Sequence, residues 1–250
     1  MTKISIIIPV LNEELMIAQL LNHLKDAGNY LNISEIIVVD GNSIDNTTKI
    51  IENIRSVAPR PIKKDNIWNY DNAMPDLKLV DSPKGRARQM NLGAKYAKGD
   101  ILYFLHADAF PPKKFDQLII NEVKKGKKAG CFRMQFDSNH WWLRIASWLT
   151  QFSWRACRGG DQSQFITREL FDEIGGYDES YTIYEDNILI NELYKRNQFV
   201  VINKKIRTSA RLYKKIGVWK LQFYFWSIYV KRWFGASADE MLAYYKKYIC

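Results

Sequence analysis

The 250-residue chain is 47% hydrophobic, which suffices for one sizeable domain or one domain with an appendage and makes two full domains a tight fit. Its net charge of +10 is uneven, because residues 211–250 carry eight Lys or Arg against two Asp or Glu. The sequence has no zinc-finger, RNA-binding or basic-zipper signature, so we expect no nucleic-acid partner and favour phosphate-bearing small molecules or anionic lipid.

The sequence predicts a chain without a membrane span. No stretch approaches the roughly 18 unbroken apolar residues that a span needs. The early apolar run 4–10 is too short for a signal peptide and is expected to form the first buried strand. Cys131, Cys157 and Cys250 show no metal-ligand spacing and cannot all pair. Free thiols fit a reducing setting, so we expect a cytoplasmic protein.

Strands and helices alternate along the first 110 residues. Continuously apolar strands are typical of a parallel sheet buried on both faces, and apolar residues at helical spacing separate them. This rhythm predicts an α/β fold with a mostly parallel central sheet flanked by helices. The strands are expected at 4–10, 35–39, 77–80 and 101–105, the helices at 16–24, 47–54 and 86–97, and a surface loop at 57–76.

The second half of the chain is more irregular, with four tryptophans between residues 140 and 155. We expect a nucleotide-binding half at 1–110 and an acceptor half at 111–210, which form one domain, followed by a helical extension at 211–250. The predicted elements are a helix from Pro111 to the basic run 124–128, a strand at 131–136, a helix at 140–155, a turn at 159–162, a strand at 164–167, a loop at 175–178 and a helix at 186–195.

Polar residues follow two of the predicted strands directly. His106 and Asp108 come just after strand 101–105, and Asp40 follows strand 35–39. Open α/β sheets bind their ligands at the carboxyl edge of the strands. Carboxylate and imidazole groups at that edge can hold an ion such as Mn²⁺ against a phosphate.

The motifs of the chain, taken together, resemble the family 2 inverting glycosyltransferases, which have the A-type glycosyltransferase fold. The resemblance is to a bacterial subgroup in which the usual Asp-x-Asp motif reads His-x-Asp. In chain order the matching motifs are Pro9-Val10-Leu11-Asn12-Glu13, Val39 to Thr47, Gly85 to Ala94, His106-Ala107-Asp108, Gly160-Asp161-Gln162, Gly175-Gly176-Tyr177 and Glu185-Asp186.

The resemblance implies transfer of a sugar from a nucleotide-diphosphate donor, with a uridine donor favoured, to an acceptor hydroxyl with inversion. Asp40 can accept the ring N–H of a uracil-like base, although a cap of the turn after its strand is the competing interpretation. Arg86 can pair with diphosphate oxygens, whereas Asp45 is expected to cap a helix. The implied donor-binding residues are Pro9, Asn12, Glu13, Asp40, Asn42, Ser43, Arg86, Asn91, His106, Ala107 and Asp108.

The resemblance also implies a divalent cofactor, Mn²⁺ or Mg²⁺, with Asp108 and His106 as its ligands. The ion bridges the two donor phosphates and neutralises the leaving group. Histidine in the first position provides one fewer negative charge than the aspartate of the usual motif. A strand-end histidine held by backbone groups is the competing interpretation of His106.

Asp186 is the expected catalytic base, because a carboxylate must take the proton of the attacking hydroxyl. Its position at a predicted helix amino terminus favours the ionised form. A helix-end carboxylate without another role is the competing interpretation, and it also fits Glu185. The implied acceptor-binding residues are Gly160, Asp161, Gln162, Glu185 and Arg211.

Two other functions compete with transfer. A sugar nucleotidyltransferase would need a glycine-rich, basic loop after the first strand, where this chain has Pro9-Val10-Leu11-Asn12-Glu13. A catalytically silent nucleotide-sugar-binding or membrane-adaptor protein is the alternative from another class, and the change at His106 favours it.

The segment 213–234 is aromatic and basic, and its apolar residues fall on one face of a predicted helix. Packing of that face on the catalytic domain is the default interpretation. The alternatives are an oligomer interface, such as that of a homodimer, and contact with an anionic membrane surface at its cytoplasmic side. The residues of this face are Ile216, Trp219, Phe223, Trp226, Val230 and Trp233, with Lys220, Tyr224, Ser227 and Lys231 on the opposite stripe.

Overall fold

A computed structural model describes residues 2–57, 62–64, 67–69 and 75–249. Its centre is an eight-stranded sheet in the order β5-β2-β1-β6-β9-β8-β10-β7, and β3 and β4 form a separate antiparallel pair. The strands are β1 (Ile4–Val10), β2 (Ile33–Asp40), β3 (Ile62–Lys64), β4 (Ile67–Asn69), β5 (Asp76–Asp81), β6 (Ile101–Phe104), β7 (Ala109–Phe110), β8 (Ala129–Phe136), β9 (Gln164–Thr167) and β10 (Phe199–Thr208).

The predicted mostly parallel α/β sheet is confirmed. Strands β5, β2, β1 and β6 run parallel to one another, and β8 is parallel to β10. Strand β9 lies antiparallel between β6 and β8, and β7 is antiparallel to β10. The carboxyl ends of β1, β2 and β6 therefore meet at one edge.

Helices cover both faces of the sheet. On one face α1, α2 and α4 pack on side chains such as Ile6 and Ile8, whereas α3, α6 and α7 pack around Ile7 on the other. The opposite placement of neighbouring side chains follows from the pleat of a strand. The helices are α1 (Ile17–Ala27), α2 (Thr47–Val57), α3 (Arg86–Tyr96), α4 (Phe115–Lys124), α5 (Trp141–Leu149), α6 (Arg168–Ile174), α7 (Glu185–Lys195), α8 (Arg211–Ile216), α9 (Val218–Trp233) and α10 (Ala238–Tyr248).

Several boundaries differ from the sequence prediction. The helix expected at 140–155 ends at Leu149, and a short 3₁₀ helix follows at Arg155–Cys157. The expected surface loop at 57–76 contains the β3–β4 pair, and its remaining central positions lie outside the described residues. Cys131 and Cys157 are free, as expected, whereas Cys250 is also outside the described part.

The carboxyl-terminal extension contains three helices, and the single helix expected at 213–234 is divided into α8 and α9. Gly217, with φ of 98°, separates α8 from α9, because this left-handed backbone angle ends a helix and favours glycine. Leu221 and Ile228 of α9 are buried under α10 and against tyrosines at 181 and 184. The extension is thus attached to the segment that leads into α7.

Helix α9 carries the aromatic face that the sequence predicted, but most of that face is exposed and not packed on the catalytic domain as expected. Trp219, Phe223, Trp226 and Trp233 are 48–87% exposed. The covered side carries Tyr224, which contacts rings of α10. Within the described part of the chain, no helix has both the length and the apolar character needed to cross a membrane.

Candidate active site

The amino-terminal motifs meet because β1 and β2 end side by side. Val10 pairs with Asp40 in the parallel register. The Gln89 side chain, buried on α3, donates from Nε2 to the carbonyl oxygens of Val10 and Val39 at 2.8 Å each. Sequence reasoning gave Gln89 no role, although it lies in the motif 85–94. This side chain holds the ends of the two strands together.

Hydrogen bonds fix the loops after these two strands. The Asp40 carboxylate accepts the Ser43 N–H at 2.9 Å and the Ser43 hydroxyl at 2.5 Å, which is the turn-capping geometry. Asn12 donates its N–H to Ser43 Oγ and accepts the Ile44 N–H, both at 2.9 Å. Each Asp40 oxygen has a second lone pair, so this carboxylate can also accept a bond from a ligand.

The predicted helix cap is present at the start of α2. Asp45 Oδ1 accepts the Thr47 N–H at 3.0 Å. Asn42, with φ of 66°, is exposed in the same turn, whereas Pro9 and Ala107 are buried.

Arg211 links the carboxyl-terminal extension to residues that follow β1 and β6. Its guanidinium donates to the Glu13 carboxylate at 2.7 Å, and its Nε lies 3.5 Å from Asp108 Oδ2. Burial and the negative charges of Asp161 and Glu13 raise the pKa of Asp108, and the charges of His106 and Arg211 only partly oppose them. The mutual repulsion of these carboxylates favours the neutral form of Asp108.

His106 lies between two carboxylates. Its Nδ1 is 3.6 Å from Asp161 Oδ1, and its Nε2 is 3.9 Å from Asp186 Oδ2. Burial and Arg86 favour the neutral imidazole, but the two carboxylates outweigh them and raise the pKa of His106. The partners of His106 are thus Asp161, which the sequence assigned to the acceptor, and Asp186, which it assigned to catalysis.

Gly160 allows this arrangement, because its backbone lies directly against the side chains of Asp186 and His106. A Cβ atom built at Gly160 would come within 2.0 Å of Asp186 Oδ2 and 2.8 Å of His106 Cε1. Only a glycine avoids this overlap.

Glu185 and Arg86 form a pair beside Asp186. Glu185 Oε1 accepts from Arg86 Nη1 at 3.2 Å, and the Glu185 side chain is only 1% exposed. Burial, together with the charge of Asp186, raises the pKa of Glu185 to about 7 despite Arg86. Glu185 Oε2 is buried without a hydrogen-bond partner among the described residues.

Two predicted ligand-binding side chains have structural partners. Asn91 exchanges bonds with the backbone of Tyr177, accepting its N–H and donating to its carbonyl at 2.9 Å. Gln162 turns inward, where its Oε1 accepts from the buried Arg158 at 2.6 Å. Arg158, which sequence reasoning did not select, also donates to the carbonyl of Thr150 at 2.7 Å. These bonds brace the loops around the site.

Tyr177 also lies beside the acidic pair. It is buried, its hydroxyl has no hydrogen-bond partner among the described residues, and burial with the charges of Asp186 and Glu185 raises its pKa. Sequence reasoning used Tyr177 only as a motif position. Its nearness to Asp186 depends on tertiary packing and has no local sequence signal.

The fit of a divalent ion depends on Asp108. No three His, Cys, Asp or Glu side chains in the described ranges are grouped so that they could hold an ion by themselves. Magnesium-like ions are often held by one or two carboxylates together with substrate phosphates. The carboxylate of Asp108, which is crowded by Asp161 and Glu13, fits that second arrangement.

The α/β fold, with polar side chains at the carboxyl edge of its strands, belongs to the class of folds that bind ligands at that edge. Comparison with known proteins identifies the family. The family profile described as "Glycosyl transferase family 2" matches residues 5–189, well over half of the chain. The chain therefore belongs to glycosyl transferase family 2.

The relatives support the same placement. "Probable glycosyltransferase YdaM" of Bacillus subtilis (strain 168) is 28% identical over 209 residues, which cover 77% of this chain and 46% of that protein. The chain thus spans less than half of the length of this curated relative.

Solved structures share the fold. S. aureus TarS 1-349 in complex with UDP has a TM-score of 0.61 and 18% identity, over 83% of this chain and 60% of that one. Mannosyltransferase PcManGT from Pyrobaculum calidifontis, in complex with GDP-Man and Mn²⁺, has a TM-score of 0.60 and 17% identity, over 82% and 56%. The expected A-type glycosyltransferase fold is confirmed.

Proposed function

We propose that the chain transfers a sugar from a nucleotide-diphosphate donor, with UDP as the nucleotide, to an acceptor hydroxyl with inversion at the anomeric carbon. The observation that carries the proposal is the placement of Asp186 beside His106, at the sheet edge where Asp40 and Asp108 also lie. Family membership and the UDP and UDP-GlcNAc complexes of TarS support the class of donor.

The proposed step is a single displacement. The acceptor oxygen forms a bond to the anomeric carbon, and the bond from that carbon to the diphosphate oxygen breaks. The nucleoside diphosphate leaves with the bonding electron pair. The acceptor proton passes to the Asp186 carboxylate, which acts as general base.

Asp186 suits the base better than its neighbour Glu185 does. Its side chain is 11% exposed, whereas that of Glu185 is 1% exposed and paired with Arg86. Asp186 also lies at the amino end of α7, where the helix dipole favours a carboxylate. Glu185 and Arg86 then position the start of α7.

The donor binds along the carboxyl edge of the sheet in this proposal. Asp40 and the loop at Asn12 contact the base and ribose, and Arg86 contacts the diphosphate. Asp161, which is 58% exposed, faces the acceptor side of His106. The halves 1–110 and 111–210 then serve donor and acceptor respectively.

A divalent ion fits this arrangement through Asp108, with His106 as a second ligand if its contacts with Asp161 and Asp186 open. When bound, Mn²⁺ or Mg²⁺ neutralises charge that develops on the leaving diphosphate. The solved structure of the mannosyltransferase neighbour is a complex with GDP-Man and Mn²⁺. Arg211, whose Nε lies 3.5 Å from Asp108 Oδ2, would compete with an ion for that oxygen.

The test is a panel of UDP-, GDP- and TDP-linked sugars with and without Mn²⁺. A ligand of the folded state raises its stability by mass action, so thermal shift identifies the donor first. Hydrolysis or transfer from that donor, with NMR of the product anomer, then tests inversion.

The outcomes separate the candidate functions. Binding without turnover on any acceptor would favour the silent nucleotide-sugar-binding protein. Formation of a sugar nucleotide from a nucleoside triphosphate would favour the nucleotidyltransferase. Retention of the donor anomer in the product would contradict the single displacement.

A further inference from the structure

A large aromatic surface lies on the outside of α5 and α9. We call it the aromatic surface and define it by Trp141 and Trp148 of α5 and Trp219, Phe223, Trp226 and Trp233 of α9. These side chains are 48–87% exposed, and Phe234 just after α9 is 86% exposed. A soluble surface rarely leaves so many large apolar side chains together, so such a patch marks a binding site.

Side-chain contacts hold the two helices of this surface in one unit. The Trp219 ring lies 5.6 Å from that of Trp141 and 5.4 Å from that of Trp142. Trp142 Nε1 donates to Gln222 Oε1 at 3.0 Å. The aromatic surface is thus a preformed feature of the fold and not a frayed tail.

The segments that carry α5 and α9 are mostly positive. Residues 137–160 contain three arginines and one exposed acid, Asp137, and residues 211–240 contain six Lys or Arg and two acids, Asp239 and Glu240. Arg144, Lys215 and Lys220 are among the exposed members. The excess of basic residues therefore complements a partner with negative charge.

We propose that the aromatic surface docks on an anionic lipid bilayer. Trp and Tyr rings prefer the headgroup level of a membrane, and lysines near it are attracted to anionic lipid. A second copy is a poorer occupant, because a two-fold interface would place the same cationic patch against itself. The occupancy is peripheral, with the helices lying in the interface plane.

The docked surface would lie close to the active site. On the inner side of α9, the Tyr229 ring contacts that of Tyr184 at 5.4 Å, and Tyr184 immediately precedes Glu185 and Asp186. A helix is about 10 Å across. Docking would therefore bring the site to the bilayer surface, where an acceptor hydroxyl borne by the membrane is within reach; this consequence rests on the proposed function.

Vesicle binding tests the proposal without any donor or acceptor. The full chain is sedimented with vesicles of phosphatidylcholine and phosphatidylglycerol in equal parts, and with vesicles of phosphatidylcholine alone. We expect strong binding to the anionic vesicles and much weaker binding to the neutral ones. The bound fraction should fall as salt rises from about 0.05 M to about 0.5 M, because exposed charges are screened.

The apolar contribution is tested with exposed positions that leave the core intact. Phe223→Ser, Trp233→Ser and Phe234→Ser together should lower the partition coefficient by more than about tenfold. The matched control is Leu31→Ser with Val57→Ser and Tyr96→Ser, which are exposed apolar residues elsewhere and 52–79% accessible. The control should bind like the parent chain.

The contribution of positive charge to vesicle binding is tested with a second pair of variants. Lys214→Gln with Lys215→Gln and Lys220→Gln should lower binding by about fivefold per lysine, from the attraction of a basic side chain to an anionic leaflet. Lys113→Gln with Lys124→Gln and Lys127→Gln removes the same charge from other exposed sites. We expect this control to lose much less binding.

Some results would overturn the proposal. Equal sedimentation with and without anionic vesicles, or equal loss in both members of either matched pair, would contradict it. A concentration-dependent dimer in light scattering that ignores vesicles would assign the surface to a second copy instead. Donor binding by thermal shift should be unchanged in the serine variant, so loss of vesicle binding and failure of the proposed transfer remain distinguishable.

Discussion

The backbone of Gly160 lies against the carboxylate of Asp186, so closely that a Cβ at position 160 would be 2.0 Å from Asp186 Oδ2. The two residues belong to a 3₁₀ turn and to the start of α7. Gly160 therefore sets the space in which the proposed base can lie. Gly160 thus positions the Asp186 side chain, and this contact predicts a mutational effect that the sequence motif does not.

Gly160→Ala should push the Asp186 carboxylate out of its place while the fold is retained, since the clash is with the end of a side chain. A displacement of about 1 Å can cost about 10²-fold in rate, so we expect a kcat loss of that order with donor affinity nearly unchanged. Gly159→Ala is the control, because its Cβ would meet nothing within 4 Å. Equal kcat in both variants would contradict this role of Gly160.

Asp186→Asn should leave donor binding nearly unchanged and lower turnover by roughly 10²–10⁴-fold, the range attributed to general-base catalysis. Single-turnover kinetics with a saturating donor would measure the loss. The control is Asp239→Asn, which removes a carboxylate from the first turn of α10. Full activity of the Asp186 variant would exclude it from the mechanism and leave it as a helix-end carboxylate.

The sheet edge could be predicted from sequence because its signals are local. Apolar runs that end in Asp40 or in His106-Ala107-Asp108 mark strand ends, and parallel strands bring those ends together. Strand β10 escaped prediction for an equally local reason. Its apolar pattern is broken by Asn203 to Lys205, where the pairing with β8 also shifts register.

The rest of the site depends on contacts between distant segments. Gln162 follows Asp161 directly, yet its side chain turns inward to Arg158 while Asp161 lies beside His106. Helical periodicity likewise identified an aromatic face on α9 but could not show which side α10 covers. Leu221 and Ile228, which the sequence left unassigned, form the buried side.

Asp108→Ala should weaken the metal-dependent part of donor binding, because the ion loses the carboxylate that fits it best. His106→Ala should cause comparable loss if His106 is a ligand and little loss if it only contacts Asp161 and Asp186. Titration of donor binding with Mn²⁺ distinguishes the two. Asp172→Ala, an exposed carboxylate on α6, serves as the control. Undiminished Mn²⁺-dependent binding in the Asp108 variant would argue against the site.

Glu185 should make stability fall as pH rises. Its pKa is raised from 4.5 to about 7 in the folded chain. Between these values the folded state retains a proton that the unfolded state releases, so the free energy of unfolding decreases with increasing pH. Each pKa unit is worth about 1.4 kcal/mol, and we expect a loss on the order of 1–3 kcal/mol between about pH 5 and about pH 8.

Glu185→Gln removes this titration, so the slope of stability against pH should flatten in that window. The pKa values of His106 and Asp108 are also raised, so these groups also make stability fall as pH rises. The contribution of Glu185 is therefore the difference between the slopes of the parent and the variant. Urea unfolding at each pH, with a constant m value, gives the slopes. Glu169→Gln, a 77% exposed side chain paired with Lys128, is the control and should keep the parent slope. If Glu185→Gln also keeps the parent slope, the Glu185 carboxyl is ionised across the whole pH window because Arg86 stabilises its charge.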